Sequence, residues 1–246
     1  MERIGTLKRL RRYPVKSMAG EDLAGAYLSY SGLVGDRAYA FVQRDGNPEF
    51  PWLTARQVEE MLLFRPKFLA SPEAAAHHPD PERYRLEVTT PHGERLDIND
   101  PRLREDLERR LGGALWLRFS ERAMTDARPI SLFGLPTAEA LSQEVGLKLD
   151  PLRFRANFYA EWANGQPYFE DTLVGRTLQV GEHCQLMVSK KDGRCKIITL
   201  DPETAEASPQ VLATVAQRHE GCIAVYLVVL REGVVREGDS IYRIAD

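Results

Sequence analysis

The chain holds only three cysteines in 246 residues, Cys184, Cys195 and Cys222, and none lies in a CxxC pair. Three thiols cannot all pair with one another, so a disulfide framework is excluded and free thiols in a reducing cytoplasm are expected. Histidine is sparse too: the five are scattered, with His77 and His78 in a Pro/Ala-rich loop, and no zinc-binding spacing appears. The longest apolar run, Ile223 to Leu230, is far too short to span a bilayer. The N-terminal MERIGTLKRLRRYPVKS lacks the apolar stretch of a secretory signal. Neither sign of charge dominates: the net charge of -3 argues against a general nucleic-acid surface. There is no GxGxxG after a strand, no GxxxxGK[ST] and no GxSxG, so dinucleotide, P-loop and serine-hydrolase sites have no support. Repeats and heptads are absent as well. No membrane and no nucleic acid is therefore expected as a partner.

What is present suits a soluble globular protein. Hydrophobic residues make up 43% and charged residues 28%, in a chain long enough for one large or two small domains. Alternation predicts strands at 3–12, 84–88 and 115–119, the apolar run 223–230 reads as a buried strand, and further strands are expected at 24–30, 38–42, 129–132 and 154–159, with a last one at 241–244. A hairpin is expected at 175–188, and another strand at 197–200. Thr54 is placed to cap a short helix through Leu63. Asn99-Asp100-Pro101 starts a helix that carries Leu103, Leu107 and Leu111 on one stripe and stops at Gly112-Gly113. Thr137 is placed to cap Ala138 to Val145, and Ser208-Pro209 opens a helix ending near Gly221. About a dozen short strands against four helices, with no βα rhythm, predict a mainly β (α+β) fold. Its form should be antiparallel and barrel-like, in two tightly associated β-rich parts. A polar stretch, Glu121 to Arg128, marks the division into 1–120 and 121–246; residues 71–81 read as loop.

The stretch with the most chemistry is KKDGRCKIITLDP, Lys190 to Pro202. Cys195 lies between Arg194 and Lys196, just after a tight turn expected at Asp192-Gly193. Nearby cations favour the thiolate, which is both a nucleophile and a soft metal ligand. On this chemistry alone the stretch is either such a site or a basic surface turn with an incidental cysteine. Other basic or polar clusters sit at expected strand or helix ends: Lys16-Ser17, Asp36-Arg37, Thr54 to Gln57, and Arg153, Arg155 and Asn157. In such places Arg and Lys can hold phosphate, and a helix start at Thr54 could add backbone N–H groups. Arg153 and Arg155 would share one side of their strand. Cys184 and Cys222 read as buried small hydrophobes. For a Cys–His hydrolase, nothing singles out His183 or His219.

Taken in order, YPVKS (13–17), GDR (35–37), TARQ (54–57), FRANFY (154–159) and RCKIITLDPET (194–204) resemble the MOSC family. The resemblance extends over essentially the whole chain: an N-terminal MOSC β-barrel part followed by a MOSC domain. This is the arrangement of the mitochondrial amidoxime reducing component and of bacterial N-hydroxy-compound reductases. It implies a molybdenum cofactor, a pterin dithiolene with a terminal phosphate, and reduction of a small N-oxygenated substrate. Electrons would come from a separate flavin or iron–sulfur partner. By the same resemblance Cys195 is the metal ligand and catalytic centre. Lys16, Ser17, Arg37, Arg155, Asn157 and Thr199 hold the cofactor, with Thr137 and Tyr226 near it. A family-level association with pyridoxal phosphate comes with it. The alternative within the same family is a non-catalytic carrier of cofactor or sulfur on Cys195. Three positions depart from the family pattern: Ala156 replaces the proline of R-P-N, Lys191-Asp192-Gly193 precedes the RC pair where relatives often have a cysteine, and Ala205 replaces the glycine of DPxTG.

Overall fold

The computed structural model describes residues 1–70 and 81–244, so nearly all of the loop expected at 71–81 lies outside the described residues. In chain order the strands are β1 (Glu2–Arg12), β2 (Glu21–Asp22), β3 (Gly25–Ser29), β4 (Gly32–Leu33), β5 (Tyr39–Gln43), β6 (Arg65–Phe68), β7 (Leu86–Thr89), β8 (Arg95–Asp97), β9 (Leu115–Phe119), β10 (Ile130–Gly134), β11 (Phe158–Trp162), β12 (Thr177–Val180), β13 (Cys184–Gly193), β14 (Cys222–Arg231), β15 (Gly233–Arg236) and β16 (Ser240–Arg243). The α-helices among the described residues are α1 (Pro101–Leu111), α2 (Leu135–Val145) and α3 (Gln210–Arg218).

Seven strands close into a barrel in the order β11-β10-β14-β13-β12-β16-β1, and β1 returns to β11 to seal it. Every pair is antiparallel except β10 with β11. Six of these strands come from the C-terminal half, and β1 is contributed by the other end of the chain. In β1 the buried apolar residues Ile4, Leu7 and Leu10 recur every third position, which a flat strand cannot place on one face. Register shifts between Arg3 and Gly5 and between Leu7 and Arg9 absorb the mismatch. Glycine is required at position 5, where a Cβ would stand 2.6 Å from the Glu161 carbonyl oxygen. The barrel core packs Leu7, Leu132, Phe158, Trp162, Leu186 and Leu227.

A second core gathers β5 with β9, the sheet β6-β7-β8 and α1, around Phe41, Phe64, Leu86, Leu103 and Leu107. The α1 stripe forms as expected. Asp100 accepts from Arg102 N at 3.0 Å, and Gly112 closes the helix at φ 75. Helices α2 and α3 cover the barrel beside Phe133, Phe154 and Tyr159. The two halves interlock again where β15 pairs with β3.

Four local expectations are corrected. Thr54 caps no helix: Gln57 Oε1 takes both the Thr54 N–H and its hydroxyl, closing a turn, and only a 3-10 helix follows at Glu59–Leu63. Thr137 is no cap either, because Pro136 lets α2 begin at Leu135 with Gly134 ahead of it. The strand expected from 154 begins only at Phe158. Before it, Asp150 caps a 3-10 helix, Pro151–Phe154, and Arg155 is left-handed at φ 50, so Arg153 and Arg155 share no strand face. Lastly, Asp192-Gly193 is not a tight turn. It ends the ten-residue β13, which stays paired to β14 through three register shifts, and Lys196–Thr199 is a 3-10 turn rather than a strand.

Candidate functional site

The end of β13, the middle of β14, the 154–157 turn, residues 16–17 and 37, and the linker 125–128 meet around an open cavity of about 170 Å³. Of the residues singled out from sequence, Lys16, Ser17, Arg37, Arg155, Asn157, Cys195 and Tyr226 line it. Thr137 and Thr199 do not, although both are buried. Thr137 donates to Glu170 Oε1 at 2.8 Å and accepts from Tyr168 N at 2.8 Å, inside the packing of α2. The Thr199 hydroxyl turns back to the Lys196 carbonyl at 2.8 Å. The structure therefore does not bring the hydroxyls of these two threonines to the cavity with the other expected residues.

Local backbone places the cations. Ser17, Arg37 and Arg155 all hold positive φ without being glycine (65, 45 and 50), and all three line the cavity. Such conformations cost on the order of 1–3 kcal/mol each and collect at functional sites. Arg37 is braced: it donates to Asp36 at 2.5 Å and to the Arg155 carbonyl at 3.0 Å. Asn157 is spent on scaffolding, since its Oδ1 accepts from Ser131 N at 3.2 Å and its Nδ2 donates to the Arg11 carbonyl at 3.2 Å. Arg155 is different. It lies 4.4 Å from the centre of the Tyr13 ring, donates to the Met18 carbonyl at 2.7 Å, and has no carboxylate partner among the described residues. Burial, with Arg37 and Arg11 nearby, pushes its guanidinium down to about 10, against the pull of Tyr13. It stays charged at neutral pH.

The cations next to Cys195 in sequence are turned to other partners. Arg194 pairs with the buried Asp192, Lys196 with Glu59 at 2.7 Å, and Lys191 with Asp171 at 3.0 Å; Lys190 lies over the Tyr226 ring at 5.8 Å. The positive charge of the cavity that Cys195 lines therefore comes largely from distant segments: Lys16, Arg37, Arg56, Arg128 and Arg155, together with Arg194. Against these six cations the cavity wall carries two carboxylates, Asp126 and Asp192. Asp192 also receives the Tyr226 hydroxyl, and burial pushes both groups up, Arg194 and Tyr226 opposing this for the acid. Lys16 donates to Asp126 at 2.5 Å and to the Met124 carbonyl at 2.9 Å; burial pushes its ammonium down, with Asp126 opposing.

Sequence reasoning missed Asp126, Arg128 and Asp192 as cavity residues. The first two sit in the polar linker, where only their place next to the β10 apolar run hinted at a site. Asp192 was masked by its Asp-Gly turn signature. At the family departures, the Ala156 N–H donates to the Tyr159 hydroxyl at 3.1 Å, a bond proline could not make. Ala205 adopts φ 61, a conformation that suits glycine better. Among the described residues no three of His, Cys, Asp and Glu gather as a metal cluster. No described helix is long and apolar enough to cross a membrane.

Fold and site together define a β-barrel protein with a basic cleft that carries one cysteine. The MOSC N-terminal beta barrel domain matches residues 4–117 and the MOSC domain residues 120–242, and the chain belongs to the MOSC family. No curated protein matches it in sequence. The YuaD protein of Bacillus subtilis is similar in fold: TM-score 0.52 at 14% identity, over 97% of this chain and 94% of that one. YiiM from Geobacillus stearothermophilus is 17% identical over 48% of this chain and 55% of its own, with a TM-score of 0.38.

Proposed function

We propose that the cavity holds a molybdenum pterin cofactor with Cys195 as the one protein ligand to the metal. On this reading the chain reduces N-hydroxylated or N-oxygenated compounds, taking electrons from a separate flavin or iron–sulfur donor. The observation that carries the reading is Arg155, a guanidinium without a carboxylate partner among the described residues, in the same cavity as the Cys195 thiol. A lone cysteine suits a metal whose other sulfur ligands arrive with the pterin, and a soft thiolate suits molybdenum. The excess of cations suits a phosphate ester.

Such a centre, when bound, supplies two-electron oxygen removal, in which R–NHOH, two electrons and two protons give R–NH2 and water. The protein's own part is to bind and orient. Lys16 and Arg155 hold the anionic end. Arg37, tied to Asp36 and the Arg155 carbonyl, fixes the strained turn that aims Arg155. Asn157 locks β1 to the same turn. The Tyr226 hydroxyl, held by Asp192, fixes a polar group on the wall of the cavity.

The test is metal and pterin content of protein made in a cofactor-competent host, beside turnover of an N-hydroxyamidine with an added reductase. Molybdenum near one equivalent, lost with turnover in Cys195→Ala, is expected. Fluorescence of the released cofactor separates a pterin from pyridoxal phosphate. Molybdenum or sulfane sulfur without turnover would favour the carrier reading. Absence of molybdenum, in a host that loads another MOSC protein, would overturn the proposal.

A further inference from the structure

We propose that Asp126 is a replaceable internal counter-ion of this cavity. Its carboxylate occupies Lys16 and Arg56 until an external phosphate takes its place. The inference rests on reading the cavity as an anion site, and adds a control element to it.

The burial of the pair is lopsided. The Lys16 side chain is 7% exposed and its Asp126 partner 48% exposed, at 2.5 Å. A buried ammonium cannot leave for water, whereas a half-exposed carboxylate can rotate out at little cost in its own solvation. Lys16 therefore needs an anion, and Asp126 is the one free to be exchanged. Arg56 stands 3.8 Å from the same carboxylate, beyond hydrogen-bond reach, and rests on the Phe50 ring at 4.4 Å. Arg128 lines the cavity two residues further on, with no hydrogen bond or ion pair among the described residues. One exposed carboxylate thus meets two cations, with Arg128 a third on the same cavity wall, and a dianionic phosphate with three acceptor oxygens would satisfy them better.

The position of Asp126 gives the exchange a consequence. It belongs to the polar linker between β9 and β10, at the start of the segment that the MOSC domain matches. Lys16 grips that linker twice, at Asp126 and at the Met124 carbonyl. Losing Asp126 from Lys16 removes one of the two grips, so occupancy of the cavity is coupled to how firmly the linker is held. A residue that merely positioned Lys16 would act in the opposite sense, because its removal would weaken anion binding.

The experiment is titration with inorganic phosphate by calorimetry, together with melting curves with and without phosphate. It compares wild type, Asp126→Asn, Asp126→Ala as a second variant, and Lys16→Met. Both Asp126 variants are expected to bind phosphate about tenfold tighter than wild type, since the internal competitor is gone. They should melt below wild type without phosphate and approach it at saturating phosphate. Equal or weaker phosphate binding in both Asp126 variants, while Lys16→Met loses it, overturns this proposal and leaves the anion-site reading standing. If wild type binds no phosphate, or Lys16→Met binds it as well as wild type, the anion-site reading falls and this proposal with it.

Discussion

Glu170 and Arg155 are both charged side chains withdrawn into the protein, one beside α2 and one beside the cavity, and their surroundings differ in kind. Glu170 is fully buried and takes three donors: Gly134 N at 3.0 Å, Thr137 Oγ1 at 2.8 Å and Trp162 Nε1 at 3.0 Å. Burial pushes its carboxyl up and the donors pull it back. The space is closed as well, since a Cβ on Gly134 would lie 2.4 Å from Glu170 Oε2. Arg155 has one carbonyl, one ring face, a strained backbone and, among the described residues, no acid. A buried polar group with all its capacity used holds the fold together. One with donors left over beside a cavity is arranged for something that arrives.

The largest effect expected from this contrast is on stability. Glu170→Ala strands three buried donors, and each stranded group costs about 1–3 kcal/mol. We expect a loss of about 3 kcal/mol or more by urea denaturation, with phosphate binding by the folded protein unchanged. A loss below about 1 kcal/mol would mean that the donors find other acceptors and that the closed site is not structural. Next comes Arg155→Gly, which removes the unpaired charge and suits the φ of 50. Stability should stay within about 1 kcal/mol of wild type, while phosphate affinity falls about tenfold or more. Destabilisation as large as that of Glu170→Ala would collapse the distinction between the two regions.

Legibility in the sequence followed the range of the forces at work. The limits of α1 could be read because Asp100, Pro101 and Gly112 act within a turn of the helix. Barrel strands could be read from short apolar or alternating runs, and Lys16, Arg37, Arg155 and Cys195 from short strings in a familiar order. Hydroxyl directions could not. Thr137 is claimed by Glu170, 33 residues away, and Thr199 by its own turn. The left-handed turns at Ser17, Arg37 and Arg155 carry no glycine to announce them. Asp192-Gly193 does look like a hairpin turn, yet pairing to β14 overrides the local preference. Asp126 joined the site only through tertiary approach to Lys16 and Arg56, and Arg128 lines the same cavity.

The smallest effect concerns pH, and it probes the open region through Lys16. Burial pushes its ammonium below the usual 10.5; Asp126 pulls it up, and Arg37 and Arg56 push it further down. The folded protein therefore gives up this proton more readily than the unfolded chain does. Below the lowered pKa, folding bears the cost of a buried charge, and between that pKa and 10.5 the cost is relieved, so this contribution to stability rises with pH. Phosphate affinity runs the other way. It is complete while Lys16 is charged and falls as pH rises through the lowered pKa, before 10.5 is reached. Calorimetric titration from about pH 8 upward keeps phosphate itself a dianion, so the fall reports on the protein. Arg155, pushed down to about 10, could contribute the same trend, so the Arg155→Gly background is needed, and there the fall should persist. It should vanish in Lys16→Met. In Asp126→Asn, which removes the group that holds the Lys16 proton on, it should begin at lower pH. An unchanged midpoint in Asp126→Asn would mean that the Lys16–Asp126 contact does not govern the charge on Lys16.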